Sequence, residues 1–285
     1  MNPTCLIFGQ GHFFHKARIE ALRTGEIACG LEPFLLLSQQ SDFAKVVDER
    51  KPRFAATSGM QKEEAKARAL LADRGIPILV LDLGYIRRPQ GDRDTQGFNQ
   101  VGLGKLGWMP TTPCPSDRLD RLQITVAPLV VEEPKRCLVL GQMPGDSSHG
   151  MDQPTLALWY EQRCQNLRAS GYELHWRPHP HTATMPAPIE GCILHNPHAE
   201  SLADNLRGMS LALAFNSTAG IEALLAGVRV ICDQSCYYAG QREPGQKPGS
   251  FPQFLANLAY AQWTCTEIAS GEPLRFLNQF APLLP

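Results

Sequence analysis

The sequence predicts an α/β protein with two domains, each built on a parallel sheet, that face each other across a cleft. Strand-like apolar runs alternate with helical patterns in both halves, which is typical of β-α-β units. The chain has 285 residues, enough for two hydrophobic cores. We place the first domain at residues 1–127 and the second at 128–250, and predict that a helical tail at 251–285 packs back on the first domain.

The first half contains four strand-like runs. We predict strands at residues 4–8, 33–37, 53–57 and 76–81, with helices at 14–23, 42–49 and 62–74. Residues 84–118 then show no clear period and many Gly, Pro and polar residues, so we predict a long irregular loop. Its aromatic residues Tyr85, Phe98 and Trp108 would offer stacking faces to a sugar or base of the acceptor, or would pack into the core.

Basic residues are concentrated locally rather than across the chain. Lys and Arg number 27 against 28 acidic residues, so the whole molecule carries no charge that would attract nucleic acid. Arg87, Arg88 and Arg93 crowd the irregular loop and are candidate acceptor-binding residues that could follow a phosphate backbone. An ordinary solvated surface is the alternative.

A glycine-bracketed polar loop follows the first strand of the second half. The strand is predicted at residues 136–140, and a helical pattern begins at 154. This order resembles the first strand-to-helix turn of a nucleotide-binding domain, although G-x-G-x-x-G is missing. We therefore predict that donor-nucleotide binding involves Gln142, Gly145, Asp146 and Ser147.

The next predicted strand, at residues 172–176, runs into the string RPHPH. Two prolines end the strand and stiffen the loop. Arg177 can direct two donors to a phosphate, and His179 can donate to the same group or protonate it. The alternative is a turn with solvated histidines.

A third polar turn follows the buried run at residues 211–215. Asn216, Ser217 and Thr218 are predicted to cap the helix that begins directly after them, which would present backbone N–H groups to an anion. Glu222 lies in the first turn of that helix, where its carboxylate can accept hydrogen bonds from ribose hydroxyls or form a capping box. The three loops follow strands of one predicted sheet, at the edge where ligands bind.

Together, the motifs GQxPGDS, RPHP and STAGIEALLAGVxV resemble the capsular polysaccharide β-Kdo transferases. More loosely they resemble nucleotide-sugar glycosyltransferases of the GT-B architecture, which has two Rossmann-like domains. The match covers residues 137–240 and implies that Arg177 and His179 hold the donor phosphates while Ser217, Thr218 and Glu222 line the nucleotide pocket. The family's Gly- and Trp-rich stretch is only partly kept, as CYYAG at 236–240, which leaves the donor sugar open.

The first half resembles bacteriophage-encoded glycosyltransferase-like proteins. The similar segments are GIPILVLDLGY at residues 75–85, GFN at 97–99 and GLG at 102–104. This resemblance implies a hydroxymethylated base of phage DNA as the acceptor, whereas the capsule-type resemblance implies a glycan. Both acceptors stay open.

Transfer of a sugar requires stabilisation of the departing phosphate and a base for the acceptor hydroxyl. No D-x-D motif stands where a GT-A enzyme would have it, so we expect a metal-independent reaction without a cofactor. The predicted donor is a UDP- or CMP-linked sugar. His12 follows the first strand and is the predicted base. The rival is His15, and the carboxylate alternatives are Asp82, Asp92 and Asp94.

Two other function classes stay open: a nucleotide-sugar 2-epimerase and a non-catalytic nucleotide-sugar binder. Nine cysteines without a C-x-x-C pair favour a reducing cytoplasm, and we expect no zinc at Cys232 and Cys236 because no second pair exists. No apolar run approaches 18 residues and no signal peptide is evident, so we expect a soluble cytoplasmic protein.

Overall fold

The computed structural model describes residues 3–8, 16–60, 62–86, 97–130, 134–243 and 249–285. The chain divides into two compact units, Met1–Arg118 with Leu255–Pro285, and Leu119–Phe254. Each unit contains one sheet with its helices, so the predicted α/β class with two such domains is confirmed. The tail residues 255–285 belong to the first unit, and the second unit begins before the predicted boundary at residue 128.

The elements follow the predicted alternation of strands and helices in both halves. In the first half they are β1 Pro3–Phe8, α1 Lys16–Ala28, β2 Glu32–Leu37, α2 Phe43–Arg50, β3 Ala55–Ser58, α3 Ala65–Asp73, β4 Ile78–Leu83, β5 Asn99–Leu103 and α4 Asp117–Leu122. In the second half they are β6 Arg136–Leu140, α5 Gln153–Ala169, β7 Glu173–Arg177, β8 Ile193–Leu194, α6 Leu202–Leu206, β9 Leu211–Ala214, α7 Ala219–Leu225, β10 Arg229–Ile231, α8 Ser250–Ala259, β11 Gln262–Trp263, α9 Cys265–Ala269 and α10 Glu272–Leu277.

The first sheet has the strand order β11-β5-β4-β3-β1-β2. Strands β1 to β4 are parallel, whereas β5 pairs antiparallel with β4 and β11 pairs antiparallel with β5. The prediction of an irregular loop is therefore wrong at β5. The polar residue Gln100 is tolerated in this strand because its Nε2 donates to the Leu83 carbonyl oxygen over 2.9 Å. The core below the sheet includes Leu6, Phe54, Leu79 and Trp263.

The second sheet is parallel throughout, with the strand order β10-β9-β6-β7-β8. The chain starts at the central strand β6, adds β7 and β8 on one side, and then crosses back to add β9 and β10 on the other. The strand order therefore reverses between β6 and β9, which is where open α/β sheets bind ligands at the carboxyl ends of their strands.

The helices are short: α5, with 17 residues, is the longest that the described ranges contain. Within those same ranges, no helix has the length and apolar character needed to cross a membrane.

Candidate functional site

The three predicted donor-binding loops leave neighbouring strands of the second sheet. One loop follows β6, the second follows β7, and the third follows β9, and β6 is paired with both other strands. Parallel strands end at the same edge of a sheet, so the structure brings the three loops together at the point where the strand order reverses.

Gln142 and Asn216 join the loops after β6 and β9. The Asn216 backbone N–H donates to Gln142 Oε1 over 2.8 Å, and Gln142 Nε2 donates to Asn216 Oδ1 over 2.6 Å. Asn216 Nδ2 also donates to the Ser148 carbonyl oxygen over 3.2 Å, and the Ser148 hydroxyl donates to Asn216 Oδ1 over 3.3 Å. Because Gln142 is only 7% exposed, this reciprocal pair of hydrogen bonds satisfies a buried side chain and ties the two loops together.

The rest of the β6 loop is held by its own hydrogen bonds. Gly145 adopts a φ of 73°, a backbone conformation that favours glycine, and its N–H donates to the Met151 carbonyl oxygen over 2.6 Å. Asp146 Oδ1 accepts from the Ser148 N–H over 2.8 Å, so this carboxylate shapes the loop. Ser147 is exposed at the loop surface.

His149 is a residue of this loop that the sequence analysis did not select. Its Nδ1 accepts from the Met151 N–H over 3.0 Å, which places the proton of the neutral ring on Nε2. Burial lowers the pKa of His149 below its usual value, against the opposing effect of Asp146, and so favours the neutral ring. Nε2 is buried, and a hydrogen bond with the Met143 backbone also opposes the lowering of the pKa.

Gly141 allows the β6 and β7 loops to approach each other. A Cβ atom at this position would lie 2.9 Å from the Trp176 ring and 3.0 Å from Pro178 Cα. The Gly141 N–H donates to the Arg177 carbonyl oxygen over 2.8 Å. The glycine is needed here for close packing, and the packing sets the β6 loop beside Arg177 and His179.

Arg177 is half-buried at the end of β7. Its guanidinium donates to Asn205 Oδ1 and, over 3.5 Å, to the Pro197 carbonyl oxygen. Burial lowers the pKa of Arg177, while the charges of Glu200 and Glu222 oppose that shift. A guanidinium carries five N–H donors, and these contacts use only part of the fork. Arg177 can therefore bind an anion while Asn205 holds it in place.

His179 caps a single 3₁₀ turn, Pro180–Thr182. Its Nδ1 accepts from the His181 N–H over 3.2 Å, so the proton of the neutral ring is on Nε2. His179 is half-buried, whereas His181 is exposed, so the alternative of a turn with solvated histidines describes His181. A neutral ring in this tautomer is a hydrogen-bond donor at Nε2.

The start of α7 differs from its prediction. Only the Ser217 hydroxyl bonds the turn, accepting from the Ala219 N–H over 3.3 Å, whereas Thr218 makes no side-chain cap and Asn216 is used in the bridge to Gln142. The N–H groups of Gly220 and Ile221 donate to the carbonyl oxygens of Ser217 and Thr218. These backbone amides are therefore engaged within the turn, and side chains must supply most of any anion binding.

Glu222 is exposed in the first turn of α7. The N-cap residue Thr218 makes no side-chain cap, so the capping box that was the alternative interpretation is incomplete. The negative charge of Glu222 acts on Arg177 and, with that of Glu200, opposes the lowering of its pKa by burial. This opposite charge faces the same end of the sheet as the guanidinium.

Tyr238 supports the α7 turn and was also missed by the sequence analysis. Its hydroxyl donates to the Ser217 carbonyl oxygen over 2.6 Å, and the residue is 1% exposed. A Cβ atom at Gly220 would lie 2.5 Å from Tyr238 Cζ, so glycine is required for this packing. The signal in the sequence was the glycine of STAGIEA, which is required because Tyr238, 18 residues further along the chain, packs against it.

Most of the predicted catalytic and acceptor residues are not among the described residues. His12, His15, Asp92, Asp94 and the three loop arginines lie outside them. Their predicted roles stay predictions. The three arginines are Arg87, Arg88 and Arg93.

The remaining acceptor candidates lie in the first unit. Tyr85 is 3% exposed and its hydroxyl donates to the Trp108 carbonyl oxygen over 3.2 Å. The Trp108 ring contacts the Phe280 ring edge-on at 5.4 Å between centroids, and Phe98 is half-buried. The alternative interpretation, aromatic side chains packed into the core, describes Tyr85 and Trp108, so stacking on Tyr85 is not available in this arrangement.

Asp82, a carboxylate alternative for the base, lies in β4. Its Oδ1 accepts from the Leu83 N–H over 2.7 Å, and it forms an ion pair of 3.9 Å with the buried Arg18. Among the described residues, His, Cys, Asp and Glu form no group of three or more that could hold a metal ion, Cys232 and Cys236 included.

Comparison with known proteins supports the fold. No protein-family model and no curated protein sequence matches the chain. Two solved structures from Thermosulfurimonas dismutans are similar: KpsC β-Kdo 2,4-transferase has a TM-score of 0.60 and 16% identity, covering 92% of both chains. KpsC β-Kdo 2,7-transferase has a TM-score of 0.59 and 14% identity, covering 97% of this chain and 100% of its own. The two units therefore have a Rossmann-like fold of the kind that these transferases share.

Proposed function

We propose that the protein is a glycosyltransferase that moves a sugar from a nucleotide sugar to an acceptor hydroxyl. The observation that carries the proposal is the joining of three polar loops where the strand order of the second sheet reverses. There Gln142 and Asn216 bridge the β6 and β9 loops, and Arg177 stands at the end of the neighbouring strand β7, where Asn205 anchors its guanidinium. Nucleotide ligands favour such a position, and the similarity in fold to β-Kdo transferases agrees with it.

In this proposal the second unit binds the donor. Arg177 and His179 contact the phosphates in this proposal. Arg177 is a cation whose guanidinium is positioned by Asn205, and the neutral ring of His179 is a hydrogen-bond donor at Nε2 because its Nδ1 accepts from the His181 N–H. Negative charge grows on the departing phosphate during transfer, so fixed donors there lower the barrier. Glu222 accepts from the ribose hydroxyls, and its carboxylate is exposed at the same edge. Gln142, Ser217 and Tyr238 hold the surrounding loops.

The base is proposed to come from the first unit. β1 lies between β2 and β3, so the order of the first sheet reverses beside β1, and His12 follows that strand in the sequence. His15, Asp82, Asp92 and Asp94 are the alternatives. We propose a metal-independent reaction, since Arg177 and His179 can supply the stabilisation of the phosphate.

The donor is proposed to be UDP- or CMP-linked, and the acceptor is proposed to be a glycan hydroxyl. The similarity in fold to β-Kdo transferases favours the glycan. A hydroxymethylated base in DNA is the second acceptor to test, because Arg87, Arg88 and Arg93 crowd one segment of the sequence.

The test is incubation with a panel of nucleotide sugars, offering oligosaccharides and hydroxymethylated DNA in parallel, with products identified by mass spectrometry. We expect a sugar adduct on one acceptor, formed equally in EDTA. Conversion of the donor to an epimer without an adduct would make the protein an epimerase. Tight nucleotide binding without turnover of any donor would make it a binder, and either result would overturn the proposal.

A further inference from the structure

A continuous series of hydrogen-bonded side chains leads from Arg177, at the end of β7, to Glu173, at the start of the same strand. Arg177 donates to Asn205 Oδ1, and Asn205 Nδ2 donates to Glu200 Oε2. Glu200 Oε2 lies 2.6 Å from His195 Nδ1, and His195 Nε2 lies 2.9 Å from His175 Nδ1. His175 Nε2 lies 2.9 Å from Glu173 Oε1, which completes the chain.

The orientation of Asn205 in this chain is set by Arg177. A guanidinium has no acceptor, so the Asn205 atom that faces it must be the oxygen. The Asn205 amide nitrogen therefore faces Glu200 and His195, and the residue is 3% exposed. A change at Glu200 or His195 therefore reaches the guanidinium through this buried amide, and the charge of Glu200 also acts on the guanidinium directly.

Both carboxylates at the ends of the histidine pair are ionised at neutral pH. Hydrogen bonds from His195, the Asn196 backbone and Asn205 hold the pKa of Glu200 at about 2. The hydrogen bond from His175 lowers the pKa of Glu173, and Arg136 adds to this effect. An ionised carboxylate only accepts, so His195 Nδ1 and His175 Nε2 must each carry a proton.

The contact between the two rings then needs a proton of its own. If both rings were neutral, the lone pairs of His195 Nε2 and His175 Nδ1 would face each other at 2.9 Å. The ring planes are inclined by only 23°, which suits a hydrogen bond in the plane of both rings. A third proton between the rings removes the repulsion and makes the pair a cation between two carboxylates.

We propose that His175 and His195 share one extra proton and act as a positioning pair, which through Glu200 and Asn205 holds Arg177 ready for a phosphate. The inference rests on the proposed function, since it assigns Arg177 to the donor. Loss of the shared proton forces the rings apart or moves the His195 proton from Nδ1 to Nε2. In the second case Nδ1 becomes an acceptor for Asn205 and a repulsive neighbour of Glu200, so the support of Arg177 changes.

The charged groups around the pair and its hydrogen-bond partners come from several elements. The charged residues of the strands and of the segment after β8 belong to the series of hydrogen-bonded side chains or adjoin it. Asp204 on α6 and Arg207 directly after α6 pair with each other. Glu222 on α7 acts on Arg177. Within the part of the chain that the structure describes, these groups are Arg136, Glu173, Arg177, Glu200, Asp204, Arg207 and Glu222.

The proton count is tested first without any nucleotide. Long-range ¹H–¹⁵N correlation of the histidine rings, from about pH 6 to about pH 9, reports which ring nitrogens are protonated. We expect three protonated nitrogens in the pair at the acidic end and two at the alkaline end, with assignments from His175→Asn and His195→Asn. Two protonated nitrogens at every pH would overturn the shared proton.

The positioning role is tested by the affinity for UDP and for CMP over the same pH range. His175→Asn places a non-titrating amide donor opposite His195 Nε2, so its affinity should match the wild type at acidic pH. At alkaline pH it should exceed the wild type by about tenfold, the size of one lost charge-assisted contact. Comparison at each pH cancels the ionisation of the nucleotide itself.

Two further variants complete the test. His175→Phe removes the donor and should bind about tenfold more weakly than the wild type at acidic pH. His198→Asn, an exposed histidine on the same segment, is the matched control and should follow the wild type. A pH dependence in His175→Asn equal to that of the wild type would overturn the positioning role. Unchanged affinity in Arg177→Ala would instead overturn the proposed function, and the ring measurement would still decide the proton count.

Discussion

Replacement of Gln142 by Ala removes the bridge between the β6 and β9 loops. The wild-type side chain accepts from the Asn216 N–H over 2.8 Å and donates to Asn216 Oδ1 over 2.6 Å, and it is 7% exposed. Truncation deletes both hydrogen bonds and leaves a partly buried amide without its acceptor. We expect a local loss of about 1–3 kcal/mol, the cost of leaving such a group unsatisfied.

Hydrogen exchange followed by mass spectrometry measures this loss where it occurs. A peptide containing Asn216 should exchange about 5- to 150-fold faster in Gln142→Ala, which is the rate equivalent of that free energy. Affinity for UDP or CMP should fall about tenfold or more, because the two loops no longer hold a common geometry.

The matched control is Gln165→Ala. Gln165 lies on the exposed face of α5 and donates to Glu161 Oε1 over 3.1 Å, so it offers the same chemistry away from the site. We expect exchange and affinity like the wild type. If Gln142→Ala were as silent as Gln165→Ala in both measurements, the bridge would have no role in shaping the site.

Four other variants test separate features of the fold and the site. Burial raises the pKa of Glu26 from 4.5 to about 8. As the pH rises, the unfolded chain therefore releases this proton before the folded protein does. The free energy of unfolding of the wild type should fall between pH 4.5 and about pH 8 and level off above it. Glu26→Gln should lack that slope and, at alkaline pH, be more stable than the wild type by on the order of 3–5 kcal/mol. Thermal unfolding as a function of pH measures this difference. Equal slopes in the two proteins would refute the hypothesis that the buried Glu26 holds a proton. Glu222→Gln should weaken binding of a ribonucleotide more than of its deoxy analogue in calorimetry, and equal losses would return Glu222 to a structural role. Gly220→Ala should lower the unfolding temperature because the new Cβ meets the Tyr238 ring. Tyr238→Phe should lower it less, because it removes only the hydrogen bond to the Ser217 carbonyl oxygen. An unchanged unfolding temperature in Gly220→Ala would show that the turn can shift to accept the methyl group.

The alternation of elements could be predicted because apolar runs and helical periods are local signals. The exceptions are the short strands β5, β8 and β11. β5 and β11 contain polar residues and are stabilised by pairing over a long stretch of chain. Gln100 in β5 opposes Gln262 in β11, and no pattern around either residue indicates the other. Tertiary context overrides local preference in such strands.

The donor loops could also be predicted, since each polar string follows a recognisable strand. What local patterns could not indicate is how the side chains are used. Asn216 was expected at a helix cap and instead bonds Gln142, and the partner of Gly220 is Tyr238. His175 meets His195 because β7 and β8 pair, and β8 has only two residues, too few for a periodic signal.

The most direct test of the central claim is titration calorimetry of UDP and CMP against the wild type, Arg177→Ala and Arg207→Ala. Arg207 is an exposed arginine that follows α6 in the second unit and pairs with Asp204, so it controls for the loss of a positive charge. We predict that the wild type binds at least one nucleotide, that Arg177→Ala loses about 10- to 100-fold in affinity, and that Arg207→Ala does not. Failure of the wild type to bind either nucleotide, or equal affinity in wild type and Arg177→Ala, would contradict the assignment of this site to a nucleotide-sugar donor.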